Sequence, residues 1–93
     1  MRRIIALPSF ARSAKKLSST DKDQLVEALE QFSNFIFIGE LPFGLGFKKI
    51  GQGKYELRVG LRLRIVVKAE SDTYYLVFIG NHDEVKKYLR HYR

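Results

Sequence analysis

The segment between residues 47 and 68 combines a carboxylate with several cations, a set of side chains that could act on a phosphodiester. The nine residues from 56 to 64 hold one acid and three arginines: Glu56, Arg58, Arg62 and Arg64. Three lysines precede or flank them: Lys48, Lys49 and Lys54. Apolar residues alternate with these polar ones, and a period of two assigns the two sets to opposite faces of a sheet. Burial of the apolar face does not require arginine on the other, so the pattern predicts a strongly positive surface with one embedded carboxylate.

Such a surface has the groups that cleavage of RNA without a metal ion requires. A base must remove the proton of a ribose 2′-hydroxyl, cations must stabilise the negative charge that builds on the phosphoryl group, and an acid must protonate the leaving 5′-oxygen. Glu56 is the candidate base, with Arg58 and Arg64 as the stabilising cations. His82 is the candidate acid, because imidazole exchanges protons near neutral pH.

His82 follows the strand that we expect to end beside this surface. It would lie in the first turn of the last helix, where backbone N–H groups also favour an anion. Further along that helix, Tyr88 or Tyr92 could stack on an unpaired base. The alternative is that His82 belongs to the helix cap and pairs with Asp83 or Glu84.

The charge of the chain is distributed in blocks. The net charge is +7, and residues 47–68 hold seven basic residues with Glu56 as their only acid. Basic blocks suit a polyanionic partner such as RNA, DNA or a ribosome. The alternative is a solvated basic sheet face in which Glu56 holds neighbouring arginines in position by ion pairing.

The first half of the chain predicts the elements that would support this surface. A strand over residues 3–7 precedes a helix that opens at Pro8, with Ser9 as its cap. Thr20 and Asp23 form a variant of the capping box at the start of a second helix. The apolar stripe of that helix is Leu25, Leu29, Phe32 and Ile36. Glycines and a proline predict a loop over residues 39–53.

The second half predicts strands over residues 54–59, 61–68 and 74–79, the last apolar on both faces and therefore interior. Asn81 and Glu84 form an N-cap signature for a final helix from His82 to about Tyr92. The order β-α-α-β-β-β-α predicts an α+β fold in which a helical hairpin packs on one face of a mainly antiparallel sheet.

Length and composition limit the possibilities further. The 93 residues, 45% of them hydrophobic, predict one domain with a small core over residues 1–93. There is no cysteine, and neither the two histidines nor any carboxylate cluster has ligand spacing, so we expect no metal and no cofactor. The apolar run at the start is too short for a signal peptide, and no segment is long enough to span a membrane, so we expect a cytoplasmic protein.

Several runs of the sequence resemble the signatures of the RelE/ParE superfamily of small bacterial toxins. The central ones are Phe47-Lys48-Lys49-Ile50, Gly53-Lys54-Tyr55-Glu56-Leu57-Arg58-Val59-Gly60 and Leu63-Arg64-Ile65-Val66-Val67. The C-terminal one is Ile79-Gly80-Asn81-His82-Asp83-Glu84-Val85 with Tyr88-Leu89, and Ser9-Phe10 with Lys15-Lys16-Leu17 resembles the usual first helix. Together these runs cover nearly the whole chain in the order and spacing of that family.

The resemblance implies a RelE-like, microbial RNase-like fold and a toxin of a type II toxin–antitoxin system, held inactive by a cognate antitoxin. Many such toxins cleave mRNA, often on the ribosome. The implied catalytic residues are Arg64, Arg58, His82 and Glu56. Because the base is a lysine in some subfamilies, Lys49 and Lys54 are alternatives to Glu56. The implied RNA-binding residues are Lys48, Lys49, Lys54, Arg62 and Tyr88.

Two other functions share this fold. Toxins of the ParE branch bind and poison DNA gyrase and have no nuclease activity. A degenerate member would bind only its antitoxin or nucleic acid. The pairing of His82 with a sheet face that carries Glu56 and arginines favours the nuclease, because a gyrase inhibitor needs no residues that transfer protons.

Overall fold

The computed structural model describes residues 3–38 and 46–91. In these two ranges lie, in chain order, β1 (Arg3–Ala6), α1 (Pro8–Lys15), α2 (Ser19–Ile38), β2 (Phe47–Gly51), β3 (Lys54–Val59), β4 (Leu63–Glu70), β5 (Thr73–Asn81) and α3 (His82–His91). The predicted α+β class is therefore confirmed, with α1 and α2 forming the helical hairpin.

The strands form one sheet in the order β1-β5-β4-β3-β2. Strands β3 to β5 make an antiparallel meander, as predicted, and β2 pairs antiparallel with β3 at its edge. Strand β1 is parallel to β5, with Arg3 opposite Thr73. Strand β5 consequently has a neighbour on each side, in agreement with its two apolar faces.

Strand β2 lies within the segment that was predicted to be a loop. Phe47 at its start stacks on Tyr55, with ring centroids 4.8 Å apart and ring planes 9° from parallel. Phe47 also contacts Phe32 of α2, at a centroid separation of 5.1 Å. These contacts and the ladder to β3 stabilise an extended segment that has no alternating pattern of its own. Residues 39–45 of the predicted loop lie outside the described residues.

The main core lies between the sheet and the helical hairpin. Its centre is Phe32, which has no exposed surface and contacts Phe35, Phe47 and Tyr74. The buried residues of α2 are Leu25, Ala28, Phe32 and Phe35. The predicted stripe packs on the core as expected: Leu25 and Phe32 are buried, and Leu29 and Ile36 are half-buried against it. Ala28 and Phe35, which the predicted stripe did not include, are buried as well.

Both predicted caps in the first half differ from the structure. The hydroxyl of Ser18 accepts a hydrogen bond from the Asp21 backbone N–H at 3.1 Å, so Ser18 caps α2 and Thr20 lies inside the helix. Ser9 also lies within its helix and donates to the Val77 carbonyl at 2.6 Å. That carbonyl belongs to the part of β5 that extends beyond β1. There the Ser9 hydroxyl supplies a hydrogen bond that a neighbouring strand would otherwise supply.

Helix α3 packs on the other face of the sheet, against β4 and β5. Gly80 permits the close approach, because a Cβ atom at this position would fall 2.9 Å from the Cβ of Glu84. Val66 and Val85 are buried outside the main core. The sequence had suggested a fully open polar sheet face. In the structure α3 covers the β5 side of this face.

Candidate active site

The register between β3 and β4 brings the predicted polar residues together on the face opposite the main core. Arg58 lies directly opposite Arg64, and Glu56 lies opposite Val66. Leu57, Val59 and Ile65 alternate with them and are buried in the core. The period of two in each strand therefore places Glu56, Arg58 and Arg64 on one surface, as predicted.

Glu56 lies at the centre of this surface and is largely shielded from solvent, with 15% of its side chain exposed. Its Oε1 accepts a hydrogen bond from Nε of Arg64 at 3.2 Å. Lys48 of β2 lies opposite Glu56, and its Nζ is 4.0 Å from the same oxygen. The carboxylate lies between these two cations, and its hydrogen bond holds the Arg64 side chain in place.

Arg58 has no acid within ion-pair distance in the two described ranges. Its backbone N–H donates to the Gly46 carbonyl at 3.1 Å. Gly46 has a φ of +71°, and a Cβ atom there would fall 2.6 Å from the Cβ of Arg58. A glycine at this position leaves the base of the Arg58 side chain room, so its guanidinium remains available to an anion.

Two further lysines extend the positive surface along β3 and β4. Lys54 lies two residues before Glu56 on the same strand and opposite Lys68 of β4. Lys68 lies 3.6 Å from Glu70, and both side chains are more than half exposed. The sequence prediction included Lys54 and omitted Lys68, although both follow the same alternation.

Two residues predicted for this surface lie elsewhere. Arg62 is in the turn before β4, and its guanidinium binds Asp21 of α2, with the nearest atoms 2.9 Å apart. Lys49 lies opposite Tyr55, which belongs to the core side of the sheet. The structure brings neither cation to this surface, because Arg62 in its turn pairs with Asp21 and because the loop pattern did not indicate the register of β2. That Arg62 and Lys49 bind RNA stays a prediction.

His82 begins α3 directly after β5, and Gly80 lies opposite Arg64. Asn81 and Glu84 form the predicted cap: the Glu84 N–H donates to Asn81 Oδ1 and the Asn81 N–H to Glu84 Oε1, each at 2.8 Å. This pair anchors the turn that carries His82. The imidazole itself is exposed and makes no hydrogen bond or ion pair with another described residue, so the alternative of a pair with Asp83 or Glu84 is not observed.

Tyr88 stacks on Phe78 of β5, with ring centroids 4.5 Å apart and planes 13° from parallel. Phe78 lies opposite Val66, which in turn lies opposite Glu56. The aromatic pair is therefore two strands away from the carboxylate, on the same side of the sheet. Phe78 was not predicted as a site residue, and Tyr92 lies outside the described residues.

The arrangement can bind a phosphodiester and move a proton. Arg58, Arg64 and Lys54 offer positive charge, Glu56 offers a carboxylate, and His82 offers an imidazole two residues after Gly80, the partner of Arg64. Within residues 3–38 and 46–91, no group of three or more His, Asp or Glu side chains could hold a metal ion. None of the helices described there is long and apolar enough to cross a membrane.

Comparisons with known proteins agree with the fold expected from the sequence. No protein-family model matches the chain, and no curated protein matches it. A chain of the RelB-RelE antitoxin-toxin complex from Methanococcus jannaschii superposes with a TM-score of 0.72 and 20% identity, over 90% of this chain and 96% of that one. YafQ from E. coli strain BL21(DE3) superposes with a TM-score of 0.62 and 12% identity, over 91% and 98%.

A chain of the DinJ-YafQ complex from E. coli gives a TM-score of 0.64 at 13% identity, over 91% of this chain and 98% of that one. At such identities the likeness concerns the backbone. The chain has the fold of RelE-type toxins, which confirms the fold that the sequence resemblance implied.

Proposed function

We propose that this chain is the toxin of a type II toxin–antitoxin system and a metal-independent endoribonuclease that cleaves mRNA. The observation that carries the proposal is the shielded Glu56 carboxylate, which Arg64 and Lys48 flank on a sheet face that is otherwise cationic. A solvated face needs neither a sheltered acid nor two arginines directly opposite each other. A site for a 2′-hydroxyl and its neighbouring phosphate would use the acid as the base and the arginines as the stabilising cations.

In the proposed reaction Glu56 accepts the proton of a ribose 2′-hydroxyl. The 2′-oxygen forms a bond to the adjacent phosphorus, and the bond from phosphorus to the 5′-oxygen breaks. Arg58 and Arg64 stabilise the charge on the non-bridging oxygens, and His82 gives its proton to the 5′-oxygen. The products are a 2′,3′-cyclic phosphate and a 5′-hydroxyl, so protons and bonds balance without a metal ion.

The proposed partners are mRNA, bound on the ribosome in the cytoplasm, and a cognate antitoxin. The antitoxin is proposed because two of the similar structures are toxin–antitoxin complexes. The likeness to RelE and YafQ does not favour the ParE alternative. Inhibition of gyrase by binding would also give no role to the ion pair between Glu56 and Arg64 or to the exposed His82.

The experiment is inducible expression followed by mapping of mRNA 5′ ends. The proposed chemistry leaves 5′-hydroxyl ends, so the new ends should ligate to an adapter only after treatment with a polynucleotide kinase. Arg64→Ala and His82→Ala should abolish these ends. Arg62→Ala is the matched control. It also replaces an arginine by alanine, two residues before Arg64, but the Arg62 side chain binds Asp21.

Growth arrest without new RNA ends, but with breaks in DNA that depend on gyrase, would replace the proposal with the ParE alternative. If Arg64→Ala and His82→Ala both cleave RNA like the parent, the assignment of the active site is wrong even though the protein is a nuclease. Equal loss in Arg62→Ala and Arg64→Ala would mean that general charge, rather than this surface, supports activity.

A further inference from the structure

A second basic feature lies apart from the surface around Glu56. Beside the part of β5 that extends beyond β1, α1 and α3 leave an open cleft of about 520 Å³ between them. Arg12, Lys15 and Lys16 lie on the α1 side of this cleft, and Phe78 and Tyr88 line the other side. The volume falls in the range of small-molecule sites and exceeds what a single phosphate group needs.

Arg12 and Lys15 are on one side of α1 because residues three positions apart share a helix face, and Lys16 follows as the C-cap, four positions after Arg12. The opposite side of the helix carries Phe10, which is buried in the core. Arg12, Lys15 and Lys16 make no ion pair within the described ranges. Their charges therefore remain available to an anion.

The two serines at the base of the cleft are already bonded to the sheet. Ser9 donates to the Val77 carbonyl, and the Ser13 hydroxyl accepts from the Ile79 N–H at 3.0 Å and donates to the Phe10 carbonyl at 2.9 Å. These hydrogen bonds hold α1 against β5, so the backbone that carries the cations has a fixed position. The polar groups left to meet a ligand here are the cations themselves.

Basic residues in the last turn of a helix also interact favourably with the helix dipole, which is a simpler reason for Arg12 and Lys15. The dipole does not explain why three cations face a stacked pair of aromatic rings across a cleft. A positively charged groove beside aromatic side chains is the arrangement that binds single-stranded nucleic acid, since phosphates meet the cations and bases meet the rings.

We propose that this cleft binds single-stranded RNA outside the step that is cleaved. Arg12, Lys15 and Lys16 would contact successive phosphates, and the Phe78–Tyr88 pair would offer an apolar surface to a base. The inference extends the proposed function, on which its choice of RNA rests, and adds a binding site on α1 to the surface of β3 and β4. An acidic peptide is the competing ligand, and the aromatic pair favours RNA because unpaired bases stack on such rings.

The experiment measures binding of a fluorescent decanucleotide in which every ribose is 2′-O-methylated, so that cleavage is impossible. Anisotropy titrations at several KCl concentrations compare the parent with Arg12→Gln/Lys15→Gln. The control is Arg3→Gln/Lys22→Gln, which removes one arginine and one lysine that are exposed outside the cleft. Lys16 is retained because it also lines a neighbouring pocket next to Asp21.

The cleft variant should bind on the order of tenfold more weakly than the parent at low salt, and the slope of log K against log salt should fall by about 1.4. In the control, the change in affinity and the change in slope should each be less than half of the change in the cleft variant. If the double cleft variant does not fold, Lys15→Gln against Lys22→Gln tests the same point, with a slope change of about 0.7.

Equal effects of the two double variants, or no effect of either, would overturn the inference, because the affinity would then come from diffuse charge. A polyglutamate peptide of equal charge that binds as tightly as the RNA, and that loses affinity in the cleft variant, would overturn it in favour of a protein ligand. The oligonucleotide cannot be cleaved, so binding is independent of turnover. Absence of 5′-hydroxyl ends in cells would contradict the proposed nuclease activity. Equal binding by the two double variants would contradict only the proposed RNA site in the cleft.

Discussion

Arg58 and Arg64 lie directly opposite each other on β3 and β4, and Glu56 binds one of them, through Nε of Arg64 at 3.2 Å. Like charges directly opposite each other on a sheet destabilise it. A sheet selected for stability alone would gain from a neutral residue at either position. We therefore expect this pair to lower the free energy of unfolding in return for a place where a phosphate can bind.

The first prediction concerns Arg58→Thr. Threonine suits a strand and removes the repulsion, so the free energy of unfolding should rise by about 0.2 to 1 kcal/mol. RNA cleavage should fall in the same variant. Urea denaturation followed by circular dichroism measures the first effect, and a cleavage assay measures the second. A clear loss of stability would show that Arg58 has a structural role instead.

The second prediction concerns Glu56→Gln. A glutamine oxygen still accepts the hydrogen bond from Arg64, but the amide cannot take a proton from a 2′-hydroxyl. Cleavage should therefore fall by a factor of about 10² to 10⁴, while RNA affinity is retained. If the variant cleaves normally, Glu56 serves only to position Arg64. Lys54→Met should then be inactive if Lys54 is the base, as the resemblance allowed.

The third prediction concerns the ion pair between Arg62 and Asp21. The Arg62 side chain is 68% exposed, so the pair should contribute no more than about 1 kcal/mol to the free energy of unfolding. A double-mutant cycle with Arg62→Ala and Asp21→Ala measures this coupling. Cleavage should be unchanged in Arg62→Ala. A coupling energy near zero together with lost cleavage would return Arg62 to the active surface.

The fourth prediction concerns Gly46→Ala. The residue has a positive φ and faces the Cβ of Arg58, so alanine would be strained by about 1 to 3 kcal/mol and would displace Arg58. Both the free energy of unfolding and cleavage should fall. Gly51→Ala is the control, since a Cβ atom there meets nothing closer than 3.8 Å. Equal effects of the two substitutions would contradict this explanation.

Local patterns carried much of the prediction. Alternation along β3 and β4 requires only the neighbouring residues, so Glu56, Arg58 and Arg64 could be assigned to one face without a structure. The cap formed by Asn81 and Glu84 is equally local, because its two hydrogen bonds join residues three positions apart. The position of His82 at the end of β5 followed from that cap.

Most of the errors come from contacts between distant parts of the chain. Strand β2 forms because Phe47 joins the aromatic cluster of the core and pairs with β3, neither of which its own glycine-rich sequence indicates. Ser18 rather than Thr20 caps α2, and Ser9 bonds to β5 instead of capping α1. The distant Val77 carbonyl decides the position of the Ser9 side chain, whereas the Ser18 cap bonds Asp21 three residues away and is as local as the cap that was predicted.

The sequence by itself therefore determined the chemical nature of the candidate site: a sheet face with Glu56, Arg58 and Arg64, followed by His82. Only the tertiary structure decided its limits. It turned Arg62 toward Asp21, placed Lys49 on the core side, and laid α3 over β5 so that α1 and α3 enclose a cleft. The physical reason is range. Alternation and capping act over a few residues and can be read from the sequence, whereas packing depends on which distant surfaces meet in the folded chain.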